Sequence, residues 1–159
     1  LAGGRNSLHS RPLSNPERTV ERPPKWFTPV AVAALLWNLF GCAAYLMDVR
    51  LTPDDVAKMS AAQQAMYAAR PAWTVGATAL AVWCGALGCV ALLLRKRWAV
   101  PLFLLSLLGV IGQDLWLFAL SGSVAQAGAA AVVLQGVVLV VAVALLMLSR
   151  NAAARGWIS

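Results

Sequence analysis

The sequence predicts an all-α, polytopic membrane protein: a bundle of four transmembrane helices with a short outer amphipathic helix between the first two. Of the 159 residues, 60% are hydrophobic and 12% are charged, whereas soluble domains have roughly 45–50% apolar and about 25% charged residues. Four apolar runs each approach the roughly 20 residues that a helix needs to cross the hydrocarbon of a bilayer. None of these runs alternates with the period of two that a transmembrane barrel requires. Together these observations exclude a soluble enzyme or a nucleic-acid-binding module.

The four predicted spans belong to one transmembrane domain, residues 26–149. Their approximate limits are 26–47, 72–94, 99–121 and 125–149. Residues 1–25 are rich in Arg, Pro and Ser, a composition that predicts a disordered tail. Residues 150–159 form a short C-terminal segment. The bilayer is therefore the first predicted partner.

The distribution of charge predicts the orientation. The tail, the Arg95–Arg97 loop and the C-terminus carry ten basic and two acidic residues, whereas the 48–71 connection carries three of each. Because basic loops stay in the cytoplasm, both termini and the middle loop are expected there. No aromatic residues interleave the basic ones to make stacking platforms, so the net charge of +7 does not indicate a nucleic-acid partner.

The 48–71 connection is predicted to contain one short helix on the outer face. Thr52 can cap a helix that starts at Pro53, and Asp54 and Asp55 then lie in the first turn, where the helix dipole favours acidic groups. Its apolar side chains recur at helical spacing at Val56, Met59, Met66 and Tyr67. Such a helix is either a structural brace or a lid over an opening between the spans.

Residues for catalysis or cofactor binding are scarce. The single histidine, His9, and both glutamates lie in the tail. A His-centred triad inside the membrane is therefore excluded, and neither a metal site nor a cofactor is expected. The chain is predicted not to be an enzyme.

Small residues in the spans predict close helix packing, within the chain or between copies. In the second span, Ala81, Gly85 and Cys89 are four residues apart, with Gly88 beside them. The other candidate packing positions are Gly41, Gly109 and Gly112. Cysteines in membrane helices usually act as small packing residues as well.

Polar side chains inside the spans are the candidate binding residues, because exposing them to lipid is costly. They are Asn38, Gln113, Asp114 and Gln135. No Lys or Arg lies within a span to pair with Asp114, so this carboxyl is either hydrated or protonated. One interpretation is a proton or cation site in a translocation path, and the other is a hydrogen bond to Asn38 or Gln135.

Several segments resemble a family of small bacterial inner-membrane proteins whose members often carry the label "sugar transporter". The resemblance covers about residues 26–113 and the closing RGWIS. Its most specific parts are Trp37-Asn38 with Gly41, Pro71-Ala72-Trp73, Gly85-Ala86-Leu87-Gly88, Arg95-Lys96-Arg97-Trp98 and Gln113. It implies four helices and an inner-membrane location. Family members tend to have an apolar residue at the position of Asp114, so the resemblance favours Asn38 and Gln113 as shared site residues.

Two functional hypotheses follow. The first is a small solute transporter, possible only as an oligomer because four helices hardly enclose a route for a sugar. The second is a non-catalytic accessory or structural subunit that packs against a partner membrane protein. A transporter predicts a cavity that joins the four polar residues, and an accessory protein predicts a filled bundle core.

Overall fold

The structure is a computed structural model that describes residues 22–120 and 124–159, with side chains described for 22–119 and 128–159. The described residues contain helices and no strand. The helices are α1 (Phe27–Val49), α2 (Pro53–Ala57), α3 (Ala61–Ala69), α4 (Ala72–Leu93), α5 (Ala99–Leu115) and α6 (Val124–Ala154). A π-helical turn, Trp116–Leu120, extends α5. The predicted disorder of the tail concerns mainly residues 1–21, which lie outside the described residues.

Four of these helices are long and apolar enough to cross a membrane: α1, α4, α5 with its π-helical turn, and α6 from Gly128 onward. The all-α, four-span fold class is confirmed, and the chain is a multi-pass membrane protein. The span limits differ from the predicted ones by a few residues, the largest difference being at the end of α6, which runs on to Ala154. Gly128 has a φ of 79° and interrupts the helical backbone near the start of α6.

The connection between α1 and α4 contains two short helices where the sequence predicted one. Thr52 caps α2 through a hydrogen bond from the Asp55 backbone N–H (3.3 Å), and Pro53 is the first helical residue. Ser60 then takes an extended backbone and caps α3 by accepting from the Gln63 N–H (3.3 Å). The Ser-x-x-Gln pattern is a second helix-start signal, and it explains why the helix does not continue through this point.

The spanning helices pack in the order α1, α4, α5, α6. Helix α4 packs closely against α1 and α5, α5 packs against α6, and α3 contacts α6. In the described part of the chain, α1 and α6 are not among the closely packed pairs. The bundle is therefore held mainly through α4 and α5, and it is loosest between its first and last helices.

One end of the bundle, here called the basic end, brings the Arg95–Arg97 loop and the C-terminus together. The Arg97 backbone N–H donates to the carbonyl of Ser159 (3.1 Å), and the Ser159 N–H donates to the carbonyl of Arg95 (2.8 Å). Gly156 has a φ of 72°, and the Trp157 N–H bonds back to the carbonyl of Ala152 (2.8 Å). This glycine-terminated helix end reverses the chain and returns its last residues to the bundle.

The residues after Gly156 pack against the start of α1 and cover the basic end with aromatic side chains. The ring of Trp157 lies 5.7 Å from that of Phe27 and 6.0 Å from that of Trp26, both edge-on. Phe27, Phe103 and Ile158 are almost completely buried in the same cluster. The main core therefore lies toward the basic end. The opposite end of the bundle, which carries α2 and α3, is here called the α2–α3 end.

Candidate functional site

A cavity of about 410 Å³ lies inside the bundle and is bounded by all four spanning helices. Its volume falls within the roughly 300–1,000 Å³ of typical small-molecule sites. Asn38, Gln113 and Gln135 contribute to its lining from α1, α5 and α6. Asp114 contributes no lining surface, but its carboxylate accepts a hydrogen bond from Gln135 Nε2 (2.5 Å). The structure thus groups the predicted polar residues around one space.

Asn38 is oriented by its neighbours on two helices. Its Nδ2 donates to the carbonyl of Ala34 (2.8 Å) and to the sulfur of Cys89 on α4 (3.5 Å). Its Oδ1 lies directly against Gly85, where the Cβ of any other residue would collide with it. Gly85, predicted as a packing residue, therefore also leaves the space that the Asn38 amide occupies.

The two glutamines are oriented in opposite ways. Gln113 Oε1 accepts a hydrogen bond from the Thr78 hydroxyl (2.7 Å), which leaves its Nε2 as a donor. Gln135 uses its Nε2 as a donor to Asp114, which leaves its Oε1 as an acceptor. Within the described residues, neither remaining atom has a hydrogen-bond partner.

The charged side chains at the cavity are a pair at the α2–α3 end. Arg70 Nη1 contacts Asp48 Oδ2 at 2.8 Å, and the guanidinium also lies 5.1 Å from the centre of the Tyr67 ring. Both residues of the pair also line a second cavity of about 400 Å³ beside α3. The ion pair therefore stands where the two cavities adjoin.

Sequence reasoning missed the ion pair and the hydroxyl groups in the lining. Asp48 and Arg70 lie 22 positions apart, and no spacing rule pairs residues across an irregular connection. Thr74, Thr78 and Ser106 also line the cavity. Hydroxyls inside helices commonly bond to nearby backbone carbonyls, so their presence in a span is a weak signal. The single proton of the Thr78 hydroxyl is shared between the carbonyl of Thr74 (2.9 Å) and Gln113 Oε1 (2.7 Å).

The predicted packing positions lie mainly between helices of this chain. A Cβ at Gly109 would lie 2.6 Å from the carbonyl oxygen of Ala77 and 2.7 Å from the backbone nitrogen of Ala81, so α4 and α5 approach here with their backbones. A Cβ at Gly88 would meet the Phe103 ring at 2.9 Å. Gly41 and Gly112 allow looser contacts with α4, at 3.3 Å and 3.6 Å.

The cysteines belong to the same helix interfaces. Cys42 and Cys89 are buried, Cys84 is half-buried, and all three are free thiols. The Cys42 thiol donates to the carbonyl of Val82 (3.5 Å) and so links α1 with α4. Among the described residues no group of His, Cys, Asp and Glu is arranged to hold a metal ion.

Comparison with protein-family models, with curated proteins and with solved structures found no match to this chain. The resemblance to a small inner-membrane family therefore stays a prediction.

Proposed function

We propose that the protein is a non-catalytic, multi-pass transporter of the bacterial inner membrane that moves a small neutral solute of sugar type and works as an oligomer. The observation that carries this proposal is the cavity of about 410 Å³ lined by Asn38, Gln113 and Gln135. A tightly filled core would have favoured the accessory-subunit hypothesis. The resemblance to proteins labelled sugar transporters is in line with this proposal.

Hydrogen-bonding capacity favours a hydroxyl-bearing solute. Gln113 offers a donor and Gln135 an acceptor, while Asn38 lines the same cavity. A hydroxyl group donates and accepts, so it can satisfy either kind of group. Buried polar groups that lose water need such partners, and a molecule without them would bind weakly.

Lack of free charge favours a neutral solute. Among the described residues that line the cavity, Asp48 and Arg70 are the charged ones, and they pair with each other. Asp114 lies outside the lining and is hydrogen-bonded to Gln135. A charged solute would lose its hydration without gaining a counter-ion, which is costly in a low-dielectric site.

The experiment is uptake into proteoliposomes of a panel of radiolabelled mono- and disaccharides. We expect saturable uptake of at least one sugar, and loss of most of this uptake in Asn38→Leu, a change of similar side-chain size. Asn151→Leu is the matched control, because Asn151 is exposed on α6 and does not line the cavity. Thermal unfolding of each variant verifies that folding is intact.

The mass of the complex purified from native membranes in mild detergent tests the oligomer. A homo-oligomer free of other polypeptides supports the proposal. A stoichiometric partner, together with the absence of uptake for every sugar, would overturn it and favour the accessory-subunit hypothesis.

The basic end is proposed to face the cytoplasm, together with both termini. Arg95, Arg97 and the C-terminus are held together there by backbone hydrogen bonds, and cytoplasmic loops carry an excess of basic residues. A cysteine introduced in place of Ser159 should react with a membrane-impermeant maleimide only after the membrane is opened. A cysteine in place of Lys58 should react in intact cells, and the reverse pattern would invert the topology.

A further inference from the structure

The cavity is open toward the side of the bundle, between α1 and α6. Phe40 on α1 and Leu134 on α6 both contribute to its lining, yet these side chains are 75% and 58% exposed. In the described part of the chain, α1 and α6 are not among the closely packed helix pairs. In a membrane, a side chain exposed on a spanning helix faces hydrocarbon, so the opening leads into the lipid.

Each end of the bundle is held by contacts between helices, and at the α2–α3 end the cavity adjoins the second cavity across the Asp48–Arg70 pair. At the basic end, Phe27 and Trp157 bridge the start of α1 and the C-terminus. At the α2–α3 end, the Asp48–Arg70 pair joins the end of α1 to the start of α4, and α3 lies against α6.

The lining has two chemical parts. Gln113 and Gln135 provide unused hydrogen-bonding atoms inside the bundle, and Asn38 adds a third amide to the lining. Most of the remaining lining is apolar and includes Val138, Val141 and Leu145 of α6. The combination suits a molecule that has a hydroxyl-bearing head and a hydrocarbon portion.

We propose that the cavity binds a neutral, single-chain amphiphile with a hydroxyl-rich head, whose head contacts the Asn38, Gln113 and Gln135 amides and whose chain leaves between Phe40 and Leu134 into the bilayer. The inference rests on the proposed function and narrows it from a free sugar to a sugar-like head on an alkyl chain. A free sugar would leave the apolar wall and the lateral opening without a role.

The test uses three probes that share one brominated octyl chain and differ in the head group: a glucoside, a sulfate and a trimethylammonium. Bromine quenches tryptophan fluorescence at short range, and Trp37 and Trp116 both line the cavity. In phosphatidylcholine nanodiscs, we expect the glucoside to quench the full-length protein saturably. The charged probes should bind at least about tenfold more weakly, since neither finds an unpaired counter-ion among the described residues that line the cavity.

Variants assign the binding to the cavity. Gln113→Leu should weaken glucoside binding by about fivefold or more, the usual effect of one lost hydrogen bond at a buried site. Gln64→Leu is the matched control, because Gln64 belongs to α3 and lines neither cavity. A protein with both Trp37→Phe and Trp116→Phe should lose the saturable part of the quenching.

Other outcomes overturn the inference. Quenching that rises linearly with every probe, and equally in all variants, would mean simple partitioning into lipid. A protein whose native cysteines are replaced by alanine, and which forms a disulfide-linked dimer through Phe40→Cys in the membrane, would show that a second copy covers the opening.

The two proposals fail in different ways. Uptake of a free sugar without saturable glucoside binding would leave the transport proposal standing and remove this one. Saturable glucoside binding without uptake of any sugar would support the binding proposal and remove the transport proposal.

Discussion

The two halves of the bundle are built on different principles. Toward the basic end, large side chains such as Phe27, Phe103 and Ile158 are almost fully buried in one apolar cluster. Toward the α2–α3 end, amides, hydroxyls and an ion pair surround a cavity of about 410 Å³. The first half maximises van der Waals contact, which is the main source of helix association in lipid. The second half gives up contact and retains hydrogen-bonding capacity, which is what a binding site needs.

The largest effect is expected from the aromatic closure of the basic end. Trp157→Ala removes a side chain that is 8% exposed and lies against two other rings. We expect a loss of about 3 kcal/mol in the free energy of unfolding, as for large-to-small changes in packed cores. Titration with a denaturing detergent in mixed micelles measures it.

Trp157→Phe is the control for this prediction. It keeps an aromatic ring and removes the indole N–H, which is buried and has no hydrogen-bond partner among the described residues. Trp157→Phe should lower the free energy of unfolding by less than half as much as Trp157→Ala. Equal losses would mean that a phenyl ring cannot replace the packing of the larger indole ring at this end.

A medium effect is expected where α4 and α5 touch at the level of the cavity. In Gly109→Ala, the new methyl would lie within 2.7 Å of backbone atoms of Ala77 and Ala81. Since backbone cannot move aside as a side chain can, we expect a loss of about 1–3 kcal/mol in unfolding free energy. Gly136→Ala is the matched control, because nothing lies within 4 Å of its added Cβ. A neutral Gly109→Ala would show that the two helices can separate freely, and it would weaken the contrast between the halves.

The Asp48–Arg70 ion pair should contribute less to the free energy of unfolding. The side chains of Asp48 and Arg70 are 34% and 24% exposed, so water screens their attraction. A double-mutant cycle with Asp48→Asn and Arg70→Gln should give a coupling energy of about 0.5–1 kcal/mol. The Asp55–Lys58 pair, with a separation of 3.8 Å and greater exposure, should show a smaller coupling. No coupling between Asp48 and Arg70 would mean that the pair does not fasten this end of the cavity.

The smallest effect is expected at the cap of α2. Thr52→Ala removes a capping hydroxyl and should speed amide exchange in α2 by about fivefold, leaving global unfolding unchanged. Hydrogen exchange followed by mass spectrometry measures it. An equal acceleration in α3, which has its own Ser60 cap, would show that the two short helices unfold together.

The same cap has a defined pH dependence. Hydrogen bonds from the Thr52 hydroxyl and then from its backbone hold the pKa of Asp55 below its usual value. A depressed carboxyl pKa stabilises the folded state above the unfolded pKa of about 4, and this contribution is lost as the pH falls through the folded value. Exchange in α2 should therefore speed up below about pH 4 in the wild type and depend less on pH in Thr52→Ala.

The sequence by itself determined the four spans, the two-sided distribution of charge and the cap at Thr52. These features follow from composition and from contacts between near neighbours in the chain, which lipid and helix geometry constrain strongly. The polar residues Asn38, Gln113, Asp114 and Gln135 were also visible in the sequence, because burying a polar group in a span is costly. The start of α3 was predictable in principle from Ser60 and Gln63, but the longer apolar stripe suggested a single helix.

Only the tertiary structure decided what those residues do together. Helix rotation and spacing place the Asn38 amide against Gly85, join Thr78 to Gln113, and pair Asp48 with Arg70. The same packing leaves α1 and α6 apart around Phe40 and Leu134. Packing in lipid depends on how small and large side chains of different helices interlock, and a single sequence does not encode that pairing in any local pattern.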